Sequence, residues 1–360
     1  MSIHFHRLTI KEVRRETPDC VSIVFDIPGN LQPSFAFTQG QNITIKHAVN
    51  GDALRRSYSI CAAPHENELR VAVKKVPGGL FSSLANEQLK PGDTLEVLPP
   101  TGNFFTTLHP SHKKQYLALA AGSGITPVIS IIKTVLQTEP QSTFTLVYGN
   151  RSRSSIIFFE ELEGLKNRYM NRFNLIHVLS REKTDAAINF GRIGAEKCSA
   201  LAGKLINFSL MDDIFVCGPE EMIFGVRDWL HEQHIDKKKI HFELFTTPGE
   251  KKQSATGSRQ SVVNAGPKSK ITVKMDGRAF DFELAFDSES ILDAAIQQGA
   301  DLPFSCKGGV CSTCRAKLTE GEVEMDVNYA LEPEEIAHGF ILTCQSHPKT
   351  ARVVIDYDAR

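Results

Sequence analysis

"CKGGVCSTCRAKL", residues 306–318, places Cys306, Cys311 and Cys314 in one glycine-rich stretch. Three thiols on so short a loop are too crowded for ordinary core packing. Downstream the chain offers one further cysteine, in "FILTCQSHP", so the full pattern is C-x4-C-x2-C-x29-C ending at Cys344. That spacing suits a [2Fe–2S] cluster, in which ferric iron and bridging sulfide are held by four soft, anionic thiolates, two to each iron. Gly308 and Gly309 fit the same account. Without Cβ atoms they let the loop wrap a cluster closely and turn backbone N–H groups toward its sulfurs. A structural zinc site also uses four cysteines, but it usually takes two separated C-x-x-C knuckles and only one is present here.

Just upstream, "SESILDAAIQQG" (288–299) reads as a short helix with Gly299 as its C′ residue. "KITVKMDGRAFDFEL" (270–284) reads as a hairpin turning at Asp276–Gly277. Before it, residues 246–268, "TTPGEKKQSATGSRQSVVNAGPK", are polar and rich in Gly, Ser and Lys, as an interdomain linker is. Residues 112–245 alternate strand and helix: "QYLALAAG" before a helix to Leu136, "FTLVYGN" before "FFEELEGL", "FNLIHVLS", and "DIFVCGP" before "EEMIFGVRDWLHEQ". Such alternation implies a parallel sheet covered by helices. Residues 1–108 carry six short β-branched runs, "HFHRLTIKEV", "CVSIVFDI", "QNITIKHAV", "LRRSYSI", "ELRVAVKKV" and "DTLEVL", whose number and spacing suggest a small antiparallel barrel. The expected organisation is therefore 1–108, 112–245, a linker at 246–268, and a cluster domain at 269–360.

With 360 residues, 41% hydrophobic and 23% charged, the chain reads as a soluble multidomain protein. No basic segment followed by an apolar one opens it, so a cytoplasmic protein with reduced cysteines is expected. "LALAAGSGITPVISIIKTVL" (117–136) is apolar, but its glycines, Pro127 and Lys133 favour a buried strand, a loop and a helix over a membrane span. Residues 269–360 hold 9 Lys and Arg against 16 Asp and Glu, a net −7, leaving 32 against 26, a net +6, for the rest. An acidic tail domain on a basic body suits electrostatically guided docking, or simply a solvated face. No Lys/Arg run with interleaved aromatics argues for nucleic acid.

Other motifs could serve phosphate and nucleotide chemistry, or could be simply strands and connections. In "RRSYSI", Arg56 can pair with a pyrophosphate and Tyr58 can pack on a flat ring. "VPGGLFSSLANEQ" runs Gly78 and Gly79 into a helix whose first turn and Ser82 could hold phosphate, or serve only as a connection. "AAGSGITP" puts Gly122 and Gly124 after a strand, then Thr126 and Pro127 at a helix start. "FVCGPEEM" puts Cys217 at a strand's carboxyl end, where α/β sheets bind ligands, with a buried structural cysteine as the alternative. Cys20, Cys61 and Cys198 read as buried thiols.

In this order, R-x-Y-S at Arg56–Ser59, G-x-x-S at Gly79–Ser82, G-x-G-x-T-P at Gly122–Pro127, C-G-P at Cys217–Pro219 and the four cysteines resemble the ferredoxin–NADP reductase superfamily with a C-terminal plant-type [2Fe–2S] ferredoxin domain of β-grasp fold. The resemblance covers nearly the whole chain. Within that superfamily "ALRRSYSIC", "LQTEPQSTFTLVYGNR" and "NYALEPEEIAHGFILTCQ" are similar to the oxygenase reductases of bacterial phenylacetate breakdown. The resemblance implies FAD on Arg56, Tyr58, Ser59, Lys74, Gly79 and Ser82, with Ser59 near flavin N5. It further implies a nicotinamide nucleotide on Gly122, Gly124, Thr126, Cys217, Gly218 and Pro219, with Cys217 beside the ring and Glu243 near the flavin. Where plant-type reductases end in an aromatic that closes the flavin face, Phe245 here leads into the linker.

"YGNRSRSS" offers Arg151 and Arg153 to a 2′-phosphate, which favours NADPH over NADH. The implied activity is electron transfer from NADPH through FAD and the cluster, held by Cys306, Cys311, Cys314 and Cys344, to a separate oxygenase, since no oxygen-activating metal or carboxylate cluster is visible. A reductase for another mono- or dioxygenase and a non-enzymatic zinc-binding scaffold are the competing readings.

Overall fold

A computed structural model of the chain describes residues 4–49, 52–245, 267–286 and 288–359. The stretch 246–266, most of the linker expected from sequence, lies outside the described residues.

The N-terminal strands β1 (His6–Thr17), β2 (Cys20–Asp26), β3 (Asn42–Val49), β4 (Asp52–Ser59), β5 (Leu69–Lys74) and β6 (Thr94–Val97) pair in the order β4-β3-β6-β1-β2-β5. Every pairing is antiparallel. The two edges meet where Ile60 bridges Val71, so the sheet closes into a barrel. Leu8, Ile10, Ile23, Ile43, Ile45, Val71 and Val97 fill its interior. Helix α1 (Leu80–Glu87) caps it through Phe81 and Ala85.

The second unit is wholly parallel. Strands β7 (Gln115–Ala121), β8 (Thr143–Asn150), β9 (Phe173–Leu179), β10 (Asp213–Cys217) and β11 (Ile240–Glu243) lie in the order β11-β10-β7-β8-β9. Helices α2 (Ile125–Thr138), α3 (Phe159–Arg168), α4 (Ala195–Ala202) and α5 (Glu220–Glu232) complete it. The apolar run at 117–136 is β7, a turn and α2, as its internal Gly and Pro suggest, and no described helix is long and apolar enough to cross a membrane. The chain leaves β7 toward β8 on one side and later returns beside β7 as β10. That reversal opens a crevice at the strands' carboxyl ends.

The C-terminal unit contains β12 (Lys268–Met275), β13 (Arg278–Ala285), α6 (Ile291–Gln297), β14 (Arg315–Glu320), β15 (Val323–Met325), α7 (Pro333–Ala337), β16 (Phe340–Leu342), β17 (Ser346–Pro348) and β18 (Arg352–Asp356). Its main sheet runs β13-β12-β18-β14-β16 with α6 against it, a β-grasp arrangement. The β12–β13 turn has Asp276 at φ 54° and Gly277 at φ 68°, which is the left-handed geometry that Asp-Gly tolerates. Gly299, at φ 89°, follows α6 as expected.

Candidate functional site

Two cavities adjoin one another through the molecule. The first, about 360 Å³, is lined by Asn42, Arg56, Ser57 and Ser59 from the barrel, by Glu243, Leu244 and Phe245 from the end of β11, and by Ser305, Cys306, Val310 and Cys311 from the cluster loop. All three units thus share it. The second, about 720 Å³, occupies the crevice of the parallel sheet. Gly122, Arg151, Ser180, Arg181, Gly218 and Pro219 are among its lining residues, and Lys74 reaches into it from the barrel. Phe245 borders both cavities, so the aromatic that leads into the linker stands at the boundary between them.

In the first cavity the Ser59 hydroxyl donates to Glu243 Oε2 at 3.0 Å. Burial pushes the Glu243 carboxyl up to about 8, against the lowering effect of the Ser59 bond. Asn42 Oδ1 and Ser305 Oγ are buried and find no partner among the described residues. Orphaned acceptors and donors facing a cavity fit a polar ligand, as a flavin with its ribityl hydroxyls is. Arg56 is exposed at the rim, its Nη1 donating to the Arg55 carbonyl at 2.8 Å.

Four of the six residues assigned to the flavin by resemblance, Tyr58, Lys74, Gly79 and Ser82, do not line the first cavity. Tyr58 lines neither cavity; it packs on Phe81 with ring centroids 5.5 Å apart, and burial raises its phenol. Ser82 is buried, accepting from Val76 N–H at 3.1 Å and donating to the Gly79 carbonyl at 3.3 Å, so its hydroxyl is used inside the turn. Gly79 permits that turn: a Cβ there would stand 2.5 Å from Ser82 Oγ.

At the nucleotide crevice Gly122 has φ 55° and open space where a Cβ would be, which leaves its backbone accessible. Gly124 has another purpose. A Cβ on it would sit 2.0 Å from the Cys217 carbonyl oxygen, so glycine is what lets the first turn of α2 press against the end of β10. Thr126 is buried and donates to the Ser123 carbonyl at 3.0 Å, shaping the same loop. Cys217 is fully buried and burial raises its thiol, whereas Gly218 and Pro219 line the cavity. Arg151 lines the cavity, but Arg153 stacks over Phe159 at 4.6 Å instead. Arg181, which sequence reasoning missed, stands beside Arg151, its backbone N–H bonding the Arg151 carbonyl at 2.8 Å. The signal was available: an arginine just past β9, next to one just past β8, in a parallel pair.

The four cysteines come together in one loop region. Cys306 interacts with both Cys311 and Cys344, and Cys344 with Cys314. Gly308 N–H points at Cys306 Sγ at 3.3 Å, and backbone N–H groups of Val310 and Gly309 face the sulfurs of Cys306 and Cys344. Lys307, Gly309 and Ser312 all adopt positive φ, the backbone coiling that turns these groups inward. Four thiols ringed by inward N–H donors fit an anionic iron–sulfur cluster.

Comparison with known proteins matches this layout. Family models describe residues 7–106 as an oxidoreductase FAD-binding domain, 118–228 as an oxidoreductase NAD-binding domain, and 273–349 as a 2Fe-2S iron-sulfur cluster binding domain. The chain is 46% identical, over 99% of its length and 98% of the other, to the E component of the 1,2-phenylacetyl-CoA epoxidase of Escherichia coli K12. It is 32% identical to the ferredoxin reductase component of 3-ketosteroid-9-alpha-monooxygenase from Rhodococcus rhodochrous, covering 97% of this chain and 96% of that one. Among solved structures, phthalate dioxygenase reductase shares the fold over 98% of both chains with a TM-score of 0.58 at 24% identity.

Proposed function

The chain belongs to the ferredoxin–NADP reductase superfamily, in the branch that carries a C-terminal [2Fe–2S] domain, and from that premise we propose that it supplies electrons from a reduced nicotinamide nucleotide to a separate oxygenase, first of all a phenylacetyl-CoA epoxidase. The observation that carries this reading is the cavity shared by Ser59, Glu243, Cys306 and Cys311, which joins the flavin-side wall of the barrel to the cluster loop. When bound, FAD takes the two electrons of a hydride together and the [2Fe–2S] cluster relays them singly.

The chain's own residues prepare that exchange. Asn42, Arg56, Ser57 and Ser59 would hold the flavin, and Ser59 Oγ–H, donated to Glu243, keeps a proton at that hydrogen bond in the cavity wall. Gly122, Gly218 and Pro219 offer a backbone surface to the nucleotide, and Phe245 lines both cavities where they adjoin. Cys306, Cys311, Cys314 and Cys344 would ligate the cluster. We read the donor as NADPH, because the guanidinium forks of Arg151 and Arg181, with the Ser180 hydroxyl in the same cavity wall, suit a 2′-phosphate. Eight unbridged cysteines suit a reducing, cytoplasmic setting.

An anaerobic visible-absorbance titration with NADPH and NADH in parallel tests the reading. Flavin and cluster bands should both bleach, faster with NADPH. Bleaching of the flavin while the cluster band persists would overturn the proposed route, and a colourless protein that retains zinc would favour a scaffold. Turnover of phenylacetyl-CoA should appear only when the oxygenase components of that epoxidase are added.

A further inference from the structure

The motif R-R-S-Y-S contains two adjacent arginines, and only Arg56 belongs to the flavin pattern. Arg55 pairs with Lys46 across the β3–β4 hairpin and lines neither cavity. Its guanidinium carbon lies over two aromatic rings, 4.9 Å from the centroid of Phe5 on the barrel and 4.0 Å from that of Phe304 on the iron–sulfur domain. Nη1 donates to the Leu302 carbonyl at 3.0 Å and Nη2 to Asp301 Oδ1 at 3.0 Å. Residues 301–306 are one continuous segment, so whatever holds its first half holds the first cluster thiol, Cys306.

We propose that Arg55 is the positioning residue for the flavin-to-cluster electron step, clamping the 301–304 segment to the barrel so that Cys306 stays against the shared cavity. The proposal rests on the electron-transfer reading above. With both groups bound, each transfer would carry one electron from the flavin to the cluster; two such transfers, with the cluster reoxidised by the acceptor between them, would account for the two electrons of one hydride, and its single proton would leave to solvent. No heavy-atom bond forms or breaks, so the protein's contribution to this step is placement, and small misplacements in such steps are costly.

The geometry says which part of the clamp matters. The Arg55 side chain is 11% exposed but that of Asp301 is 80% exposed, so the visible ion pair is screened by water and contributes little. The two ring contacts and the charged bond to a backbone carbonyl are sheltered and do most of the holding. A planar guanidinium offers its face to a ring and a fixed fork of donors to Leu302 and Asp301 together, whereas an ammonium, such as those of Lys46 over Phe5 and Lys307 over Phe304, supplies a point charge without that fork. A second contact works with it: Thr44 Oγ1 lies 3.2 Å from Thr313 Oγ1, a buried pair that touches the loop between Cys311 and Cys314. That pair is neutral and orients without supplying comparable attraction.

The test is stopped-flow reduction of the full holoprotein by NADPH, following flavin and cluster bands separately, for the parent, Arg55→Ala, Arg55→Lys, Phe5→Leu and Asp301→Asn. Flavin content and flavin reduction should be unchanged throughout. Cluster reduction should slow by about tenfold in Arg55→Ala and nearly as much in Arg55→Lys, about threefold in Phe5→Leu, and less than about twofold in Asp301→Asn. Cluster reduction within about twofold of the parent in Arg55→Ala overturns the inference. So does a parallel fall in flavin reduction, which would make Arg55 a general support of the barrel. If Arg55→Ala does not fold, the contrast between Phe5→Leu and Asp301→Asn decides in the same terms. A parent protein whose cluster is never reduced by NADPH would sink the functional reading itself, a distinguishable result.

Discussion

Lys133→Met should loosen the joint between the barrel and the nucleotide-binding unit. Lys133, on α2, is only 5% exposed, with its ammonium 2.6 Å from Glu66 of the barrel and 2.8 Å from Glu161 of α3. Arg70 of β5 then reaches both Glu161 oxygens at 2.9 Å, so the charges alternate across the interface. Removing one partner of a fully buried pair costs about 3–5 kcal/mol. Here Glu66 and Glu161 keep 30% and 27% of their side chains exposed, and Glu161 retains Arg70. Screening and the surviving partner bring the expected loss to about 2 kcal/mol. In a unit of this size that is a fall of about 4–8 °C in Tm.

The single tryptophan, Trp229 on α5, packs in the core of the nucleotide-binding unit and supplies a fluorescence readout of it. The sign of the pH dependence follows from Glu66. Burial alone would raise its carboxyl, but the Lys133 ammonium, with smaller help from hydrogen bonds, outweighs burial and holds it below the ordinary range. A lowered folded-state value means stability present above the unfolded pKa and lost as pH falls through the folded one. The gap between parent and variant should therefore close in acid. Adding Glu66→Gln to Lys133→Met should recover part of the loss by removing the stranded charge. A Tm within about 1 °C of the parent, or a double variant no better than the single, would refute the reasoning.

Two further outcomes follow from close contacts and charge. Gly124→Ala puts a methyl 2.0 Å from the Cys217 carbonyl oxygen and 2.8 Å from Gly218 N, neither of which can move aside cheaply. It should cost about 3 kcal/mol and weaken NADPH binding in equilibrium titrations while flavin content is retained. Arg181→Ala should raise KM for NADPH about tenfold with kcat preserved and leave KM for NADH nearly unchanged. An equal rise for both nucleotides would remove the 2′-phosphate assignment.

The elements most legible in the sequence are those governed by local chemistry. Short β-branched runs form the six barrel strands, Asp276–Gly277 forms the hairpin turn, and the apolar run at 117–136 is strand, loop and helix. Cysteine spacing likewise picks out the loop where the thiols of Cys306, Cys311, Cys314 and Cys344 meet, because ligand number and softness are properties of residues. Sequence says less about what individual motif side chains touch. Ser82 and Thr126 stand in cofactor-binding motifs, yet their hydroxyls close local turns. Cys217 is expected beside the nicotinamide ring, yet the backbone that follows it, rather than its thiol, meets the cavity.

Residues that act between units are invisible in the chain order. Arg55 and Arg56 are neighbours with the same chemistry, and nothing local says that Arg56 meets the cavity rim while Arg55 lies against Phe5 of the barrel unit and Phe304 of the C-terminal unit. Phe245 and Arg181 acquire their places from the ends of parallel strands that are distant in sequence. Local backbone preference, periodicity and ligand chemistry are short-range, so they can be read from a few residues at a time. Which side chains share a cavity depends on how three units pack, and that is decided by contacts between residues far apart in the chain, so it became legible only in the tertiary structure.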